Sequence, residues 1–326
     1  MSAPTIEVEG LKTHFFTRAG VVKAVDGVDF TVGPGEVMGL VGESGSGKSV
    51  TGFSIIGLVD PPGRNVAGSI RFKGEDLLTL SEERQRKLRG DRIAMIFQDP
   101  MMTLNPVLRI DTQMVEAIRA HRNVGRRKAE ERALETLEMV GLPAPEKRLR
   151  SYPHQLSGGM RQRVAIAIAF LNEPDLIIAD EPTTALDVTI QAQIIAEAQS
   201  LCKRTGTSLI WITHDLAVVA GIADHIAVMY AGRIVEAGPT DDVIDNPQHP
   251  YTVGLLGSVP TANTRGERLT QIPGMPPNVL HLPEGCAFKT RCPRRSDVCD
   301  AEPEVSEPVP ERKVRCFHPH SEPVPA

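Results

Sequence analysis

The run EVMGLVGESGSGKS, Glu36–Ser49, constrains the fold of this chain more than any other stretch. Its first half, EVMGLVG (Glu36–Gly42), is apolar without alternation, as a strand buried on both faces of a parallel sheet requires. GESGSGKS (Gly42–Ser49) then fits G-x-x-x-x-G-K-[ST], and the helix-like SVTGFSIIGLV follows. Glycines in such a loop let successive backbone N–H groups turn inward around phosphates, and the helix N-terminus adds partial positive charge. The candidate phosphate contacts are therefore Gly42, Glu43, Ser44, Gly45, Ser46, Gly47, Lys48, Ser49 and the next residue, Val50. Within them Lys48 can reach the β- and γ-phosphates, and the Ser49 hydroxyl can ligate Mg²⁺. The bland alternative, a Gly-rich turn before a helix, does not require the flanking strand and helix in this order.

Four other places carry compatible chemistry. LIIADEP ends a buried-type strand at Asp180, whose carboxylate can hold Mg²⁺, and Glu181 follows where a base could polarise an attacking water. Gln98 closes RIAMIFQ with a neutral amide suited to Mg²⁺ or water. His214 ends SLIWITHD, a third strand of the same type; a lone His there is as readily structural as catalytic. In YPHQLSGGMRQR, Ser157 is a good N-cap, and Gly158 and Gly159 leave helix N–H groups open to an anion. A second anion cradle without its own Lys suggests a γ-phosphate clamped from two sides.

Composition and pattern set the frame. Among 326 residues, 41% are hydrophobic and 24% charged, ordinary for a globular protein, and the net charge of −5 argues against a nucleic-acid partner. The longest apolar run, VAIAIAFL, is far shorter than the about 20 residues a spanning helix needs, and MSAPTIEVEG lacks a signal-peptide pattern, so a cytosolic setting is expected. IEVEGLKTHF and AVDGVDFTV read as strands, and RRKAEERALETLEMVGL as a helix with Ala133, Leu134, Leu137 and Val140 on one face and Gly141 as its stop. DLIIAD, the helical VTIQAQIIAEAQSLCKRTG and SLIWITHD give strand, helix, strand, the signature of a parallel α/β sheet. From about Glu236 proline becomes frequent. The expected domains are thus 1–235, with a helical subdomain at about 99–171, and an extension at 236–326.

That extension holds four of the five cysteines: Cys286, Cys292, Cys299 and Cys316, with five, six and sixteen residues between them. A reducing cytosol demotes disulfides. Four thiolates suit tetrahedral zinc or an iron–sulfur cluster, and the spacing lacks the C-x2-C knuckle common at structural zinc. His318 could substitute as a ligand, while Cys202 reads as a small core residue.

The ordered motifs resemble those of ABC-transporter ATPases. GESGSGKS matches Walker A, Gln98 the Q-loop, LSGGM the signature, LIIAD with Glu181 Walker B and its base, ALD (Ala185–Asp187) the D-loop, and His214 the switch histidine. The resemblance implies a P-loop ABC nucleotide-binding domain: an α/β RecA-like core, an antiparallel β subdomain and a helical subdomain. It implies a head-to-tail dimer in which each ATP lies between one subunit's Walker A and the other's signature, Asp187 included. It also implies an aromatic residue against adenine, for which Phe15 and Phe16 compete. QDPMMTLNPVLRI, NPQHPYTVGLLGSVP and IPGMPPNVLHLPEGCAFKTRCP are similar to the dipeptide/oligopeptide branch of bacterial importers. This implies two transmembrane permease subunits, a paralogous ATPase as heterodimer partner, an extracytoplasmic peptide-binding protein, and a place on the cytoplasmic face of the inner membrane. Some members of that branch take nickel or other small ligands, and some hold a [4Fe–4S] cluster in this extension, which makes Cys286, Cys292, Cys299 and Cys316 its expected ligands. A soluble ABC ATPase of DNA repair or translation is the competing class, disfavoured by a single cassette and acidic balance.

Overall fold

Val37–Val41 is buried at every position, which satisfies the apolar run that predicted it. The computed structural model describes residues 3–184, 186–258 and 271–320. In chain order the strands are β1 (Ile6–Thr17), β2 (Gly20–Val32), β3 (Val37–Val41), β4 (Gly63–Phe72), β5 (Glu75–Asp76) and β6 (Ile93–Ile96). They continue with β7 (Leu176–Asp180), β8 (Ser208–Thr213), β9 (His225–Tyr230), β10 (Arg233–Pro239), β11 (Ser306–Val309) and β12 (Arg312–Val314). The helices begin with α1 (Lys48–Ile56), α2 (Glu82–Leu88), α3 (Ile110–Arg119), α4 (Arg126–Met139) and α5 (Pro145–Leu149). After these come α6 (Gly158–Phe170), α7 (Val188–Thr205), α8 (Leu216–Ala220), α9 (Thr240–Asp245) and α10 (Pro250–Gly257).

The chain divides into two compact units. The first takes in the segment ending at Thr5, Val32–Glu36 and Thr79–Ile210. Here β6 runs parallel to β7, and the start of β8 bonds to both sides: Ser208 N–H donates to Asp175 O (2.9 Å) and Leu209 N–H to Glu36 O (2.9 Å). Strands β6 and β7 are buried throughout, as parallel strands covered on both faces must be. The helices α3 to α6 fall within the expected helical segment. On α4 the buried residues Ala129, Ala133, Thr136 and Leu137 recur at helical spacing, and Gly141 ends the turn at φ 62°. Helix α6 is buried almost all round, so VAIAIAFL is core helix; among the described residues no helix is long and apolar enough to cross a membrane. Cys202 on α7 is a core thiol, its pKa pushed up to about 12 by burial.

The second unit takes in Ile6–Thr31, Val37–Leu78 and the chain from Trp211 onward. One sheet is antiparallel, in the order β2–β1–β4–β5. In the other, β9 runs parallel to β3 and antiparallel to β10, β10 is antiparallel to β12, and β12 to β11. Strand β10 spans the join expected at 235 and 236, and β12 of the extension adds to it, Glu236 facing Val314. The extension's Tyr251 and Phe288, 0% and 2% exposed, form an aromatic core with Tyr230 and His249.

Candidate functional site

The phosphate loop turns from β3 into α1 as the sequence predicts. Gly42, Gly45 and Gly47 take φ 154°, 80° and 107°, which leaves the backbone free to fold around a ligand. Helix α1 opens at Gly47 with no side-chain cap and no acidic residue in its first turn, so its N-terminal amides offer positive potential to an anion. Lys48 is 4% exposed and donates from Nζ to the carbonyls of Gly42 (2.7 Å) and Glu43 (3.0 Å). Its ammonium is thus folded over the loop it would share with phosphate oxygens. Ser46 is buried, Ser44 and Gly45 are exposed, and Ser49 and Val50 lie in the first turn of α1.

Two residues that the sequence did not single out fasten this loop. Glu43 N–H donates to the Tyr251 hydroxyl at 2.7 Å. The Arg291 guanidinium grips the Glu43 carboxylate with both arms, at 2.6 and 2.9 Å. No local pattern could reveal either, because the partners are 208 and 248 positions apart.

Phe15 and Phe16 lie on β1 in the same unit. Phe16 is 40% exposed with the Arg64 guanidinium 4.4 Å above its ring, whereas Phe15 packs on Gly63. Exposed His214 follows directly on β8, and the next residue, Asp215, caps α8 by accepting from Ala217 N–H at 2.9 Å.

In the first unit, Asp180 ends β7 at 5% exposure. Glu181 stands immediately after it in the left-handed region, φ 44°, an unusual conformation for a side-chain-bearing residue at a strand end. The structure brings Gln98 and Glu181 together: Gln98 Nε2 lies 3.5 Å from the Glu181 carboxylate, and Thr184 Oγ1 donates to it at 3.0 Å. Ser157 caps α6 through Met160 N–H (3.4 Å), with Gly158 exposed beside it, so the end of a 13-residue helix is presented at the surface. Gly159 sits close to Ile190 of α7. Asp187 caps α7 through Ile190 N–H at 3.0 Å; Ala185 of the same expected motif lies outside the described residues.

The four cysteines of the extension fall in the second unit. Cys299 is buried, and Cys286, Cys292 and Cys316 are half-buried. Cys286 N–H donates to Cys299 O at 3.0 Å, which staples the two segments. Backbone N–H groups point at the sulfurs: Phe288 at Cys286, Arg294 at Cys292, and His318 at Cys316 Sγ at 3.3 Å. Burial raises the thiol pKa of Cys286, Cys292 and Cys316, the last to about 11, and the neighbouring thiols add to the rise. Cysteine sulfur is the donor type that zinc and iron–sulfur clusters take, and only as the thiolate, so a metal would have to displace these protons. Among the described residues, however, no group of three or more His, Cys, Asp or Glu is arranged to hold a metal ion. His318 Nε2 is engaged with Ser296 Oγ at 2.5 Å.

Residues 25–184 match the family model described as ABC transporter, and residues 235–299 that of the oligopeptide/dipeptide transporter C-terminal region. The chain is 48% identical over 317 residues to the oligopeptide transport ATP-binding protein OppD of Escherichia coli (strain K12), covering 97% of this chain and 94% of that protein. It belongs to the ATP-binding proteins of the oligopeptide and dipeptide ABC transporters. Another relative, the dipeptide transport ATP-binding protein DppD of Bacillus subtilis (strain 168), is 51% identical over 296 residues, 90% of this chain and 88% of its own. Among solved structures, a dimeric ATP-binding cassette in a post-hydrolysis state bound to ADP and Pi aligns with a TM-score of 0.66 at 27% identity. It covers 72% of this chain and 98% of its own. The α/β fold of this ABC ATP-binding protein is therefore that of an ABC cassette, and the segment beyond the cassette is the family's C-terminal region.

Proposed function

We propose that this chain is the ATP-hydrolysing subunit that powers import of dipeptides or oligopeptides through a membrane permease. One observation carries this reading: the ATPase motifs and a C-terminal region of the oligopeptide/dipeptide kind occur together in one chain, matched nearly end to end by peptide-transport ATP-binding proteins. Its partners are two permease subunits and a paralogous ATPase, with an extracytoplasmic binding protein delivering peptide. The chain sits against the cytoplasmic face of the inner membrane.

Each residue has a task in this reading. Lys48 and the loop amides Gly42–Ser49 hold the β- and γ-phosphates, and Phe15 or Phe16 stacks on adenine. Ser49, Gln98 and Asp180 supply a hydroxyl, an amide and a carboxylate, the hard oxygen donors that suit Mg²⁺. When bound, the ion neutralises phosphate charge. Glu181, already hydrogen-bonded to Gln98 and Thr184, polarises the attacking water, and His214 steadies the γ-phosphate. Ser157, Gly158, Gly159 and Asp187 act on the ATP of the partner ATPase. Cys286, Cys292, Cys299 and Cys316 hold a [4Fe–4S] cluster that serves structure, since hydrolysis needs no electron transfer.

The mechanism is tested with Glu181→Gln. Removing a general base costs about 10² to 10⁴ in rate, so steady-state hydrolysis should collapse while nucleotide binding persists. Undiminished turnover would remove Glu181 from its role. The substrate is tested by ATP-driven uptake into vesicles carrying the assembled complex: labelled dipeptide should accumulate. Accumulation of nickel without peptide would overturn the substrate.

A further inference from the structure

Glu43 is the first residue inside the phosphate loop after Gly42, and each of its polar groups is held. Its N–H donates to Tyr251 Oη (2.7 Å), its carbonyl accepts from Lys48 Nζ (3.0 Å), and its carboxylate takes both arms of Arg291 (2.6 and 2.9 Å). Tyr251 and Arg291 both come from the C-terminal region. Arg291 is itself 5% exposed and fixed three further ways. Its Nε donates to Pro273 O at 2.9 Å, and its guanidinium lies 5.9 Å from the Tyr230 ring and 6.0 Å from that of Phe288. It stands one residue before Cys292 and five after Cys286.

A carboxylate at this point of a phosphate cradle opposes the charge of the ligand. At the short range and reduced dielectric of a half-buried site, that repulsion is substantial. A bidentate guanidinium removes it and fixes the geometry as well, which a lone ammonium would not. We propose that Arg291 is a positioning residue for ATP: it neutralises and anchors Glu43, so that nucleotide affinity depends on the fold of the thiol-bearing segment. The inference rests on reading Gly42–Ser49 as the ATP loop.

Binding of a fluorescent ATP analogue to the full chain, together with KM and kcat for ATP, tests it. Arg291→Gln should weaken binding by roughly tenfold, since truncating one partner of a buried charged pair leaves the other uncompensated. The rise in KM should exceed the fall in kcat. Adding Glu43→Gln to Arg291→Gln should recover most of the loss, because the unpaired carboxylate is its cause. Arg291→Lys should fall between. Parental affinity in Arg291→Gln, or a loss that Glu43→Gln does not relieve, overturns the proposal; the second result is what mere misfolding of the extension would give. A parent chain that bound no nucleotide would instead sink the reading of the loop itself.

Discussion

Gly47 shows how tightly single residues are specified here. Its φ of 107° belongs to glycine, and an added Cβ would sit 2.2 Å from the Ala24 carbonyl oxygen and 2.7 Å from Met229 Cε. The first of these is backbone and cannot swing aside. Gly47→Ala should therefore abolish binding of the fluorescent ATP analogue and lower the melting temperature. The left-handed strain alone is worth roughly 1–2 kcal/mol, before the clash is added. A variant that melts and binds like the parent would show that the turn is looser than its geometry. Gly47 was readable in the sequence because the motif's physics is local: nine consecutive residues carry the turn, the charge and the helix start. Arg291 was not readable, because its partner is 248 positions away and nothing near Arg291 distinguishes it from Arg294 or Arg295. The Gln98–Glu181 approach was legible as two separate candidates, but their contact was not.

At the level of elements, strands and helices with one unambiguous period were legible. β3, β7 and β8 are apolar runs buried throughout, and α4 and α7 end at glycines with positive φ. The short helix α10 was not, since its start depends on a side chain chosen by burial. His249 is 1% exposed, and its Nδ1 accepts from Tyr251 N–H at 3.0 Å, which caps the helix and requires an unprotonated ring nitrogen. Burial lowers its pKa from 6.5 to about 3. Between these values the unfolded chain takes up a proton that the folded chain refuses, so stability must fall as pH is lowered through that window. The loss is on the order of a few kcal/mol by pH 3, added to whatever the carboxylates contribute. His249→Asn keeps a capping acceptor and removes the titration. Urea denaturation of parent and variant across this range should show a shallower fall for the variant. Parallel curves would mean that another group carries the acid sensitivity.

Across the molecule, the C-terminal region is joined to the cassette by charge as well as by strand pairing. The sequence marked it as a Pro-rich appendage with a boundary near Glu236, because composition reports where proline begins and not where a strand is completed. In the structure Glu236 is 0% exposed and accepts from Arg312 Nη2 at 2.6 Å and from the backbone N–H groups of Gln248 and His249 at 2.7 and 2.9 Å. Arg312, at 2% exposure, also donates to the carbonyls of Asp242 and Asn246. A single ion pair thus ties β10, the loop after α9, the start of α10 and strand β12 together. Such a pair is not strong evidence of net stabilisation when compared with an apolar core, but breaking it from one side leaves a desolvated charge. Arg312→Ala should cost about 3–5 kcal/mol in urea denaturation. Arg312→Met with Glu236→Gln should cost less, because no charge is then stranded, although the Gln carbonyl oxygen replaces only one of the two carboxylate oxygens that accept from Gln248 and His249 N–H. If the single variant were as stable as the parent, the carboxylate would have to reach water in the folded chain, and β12 would be no anchor.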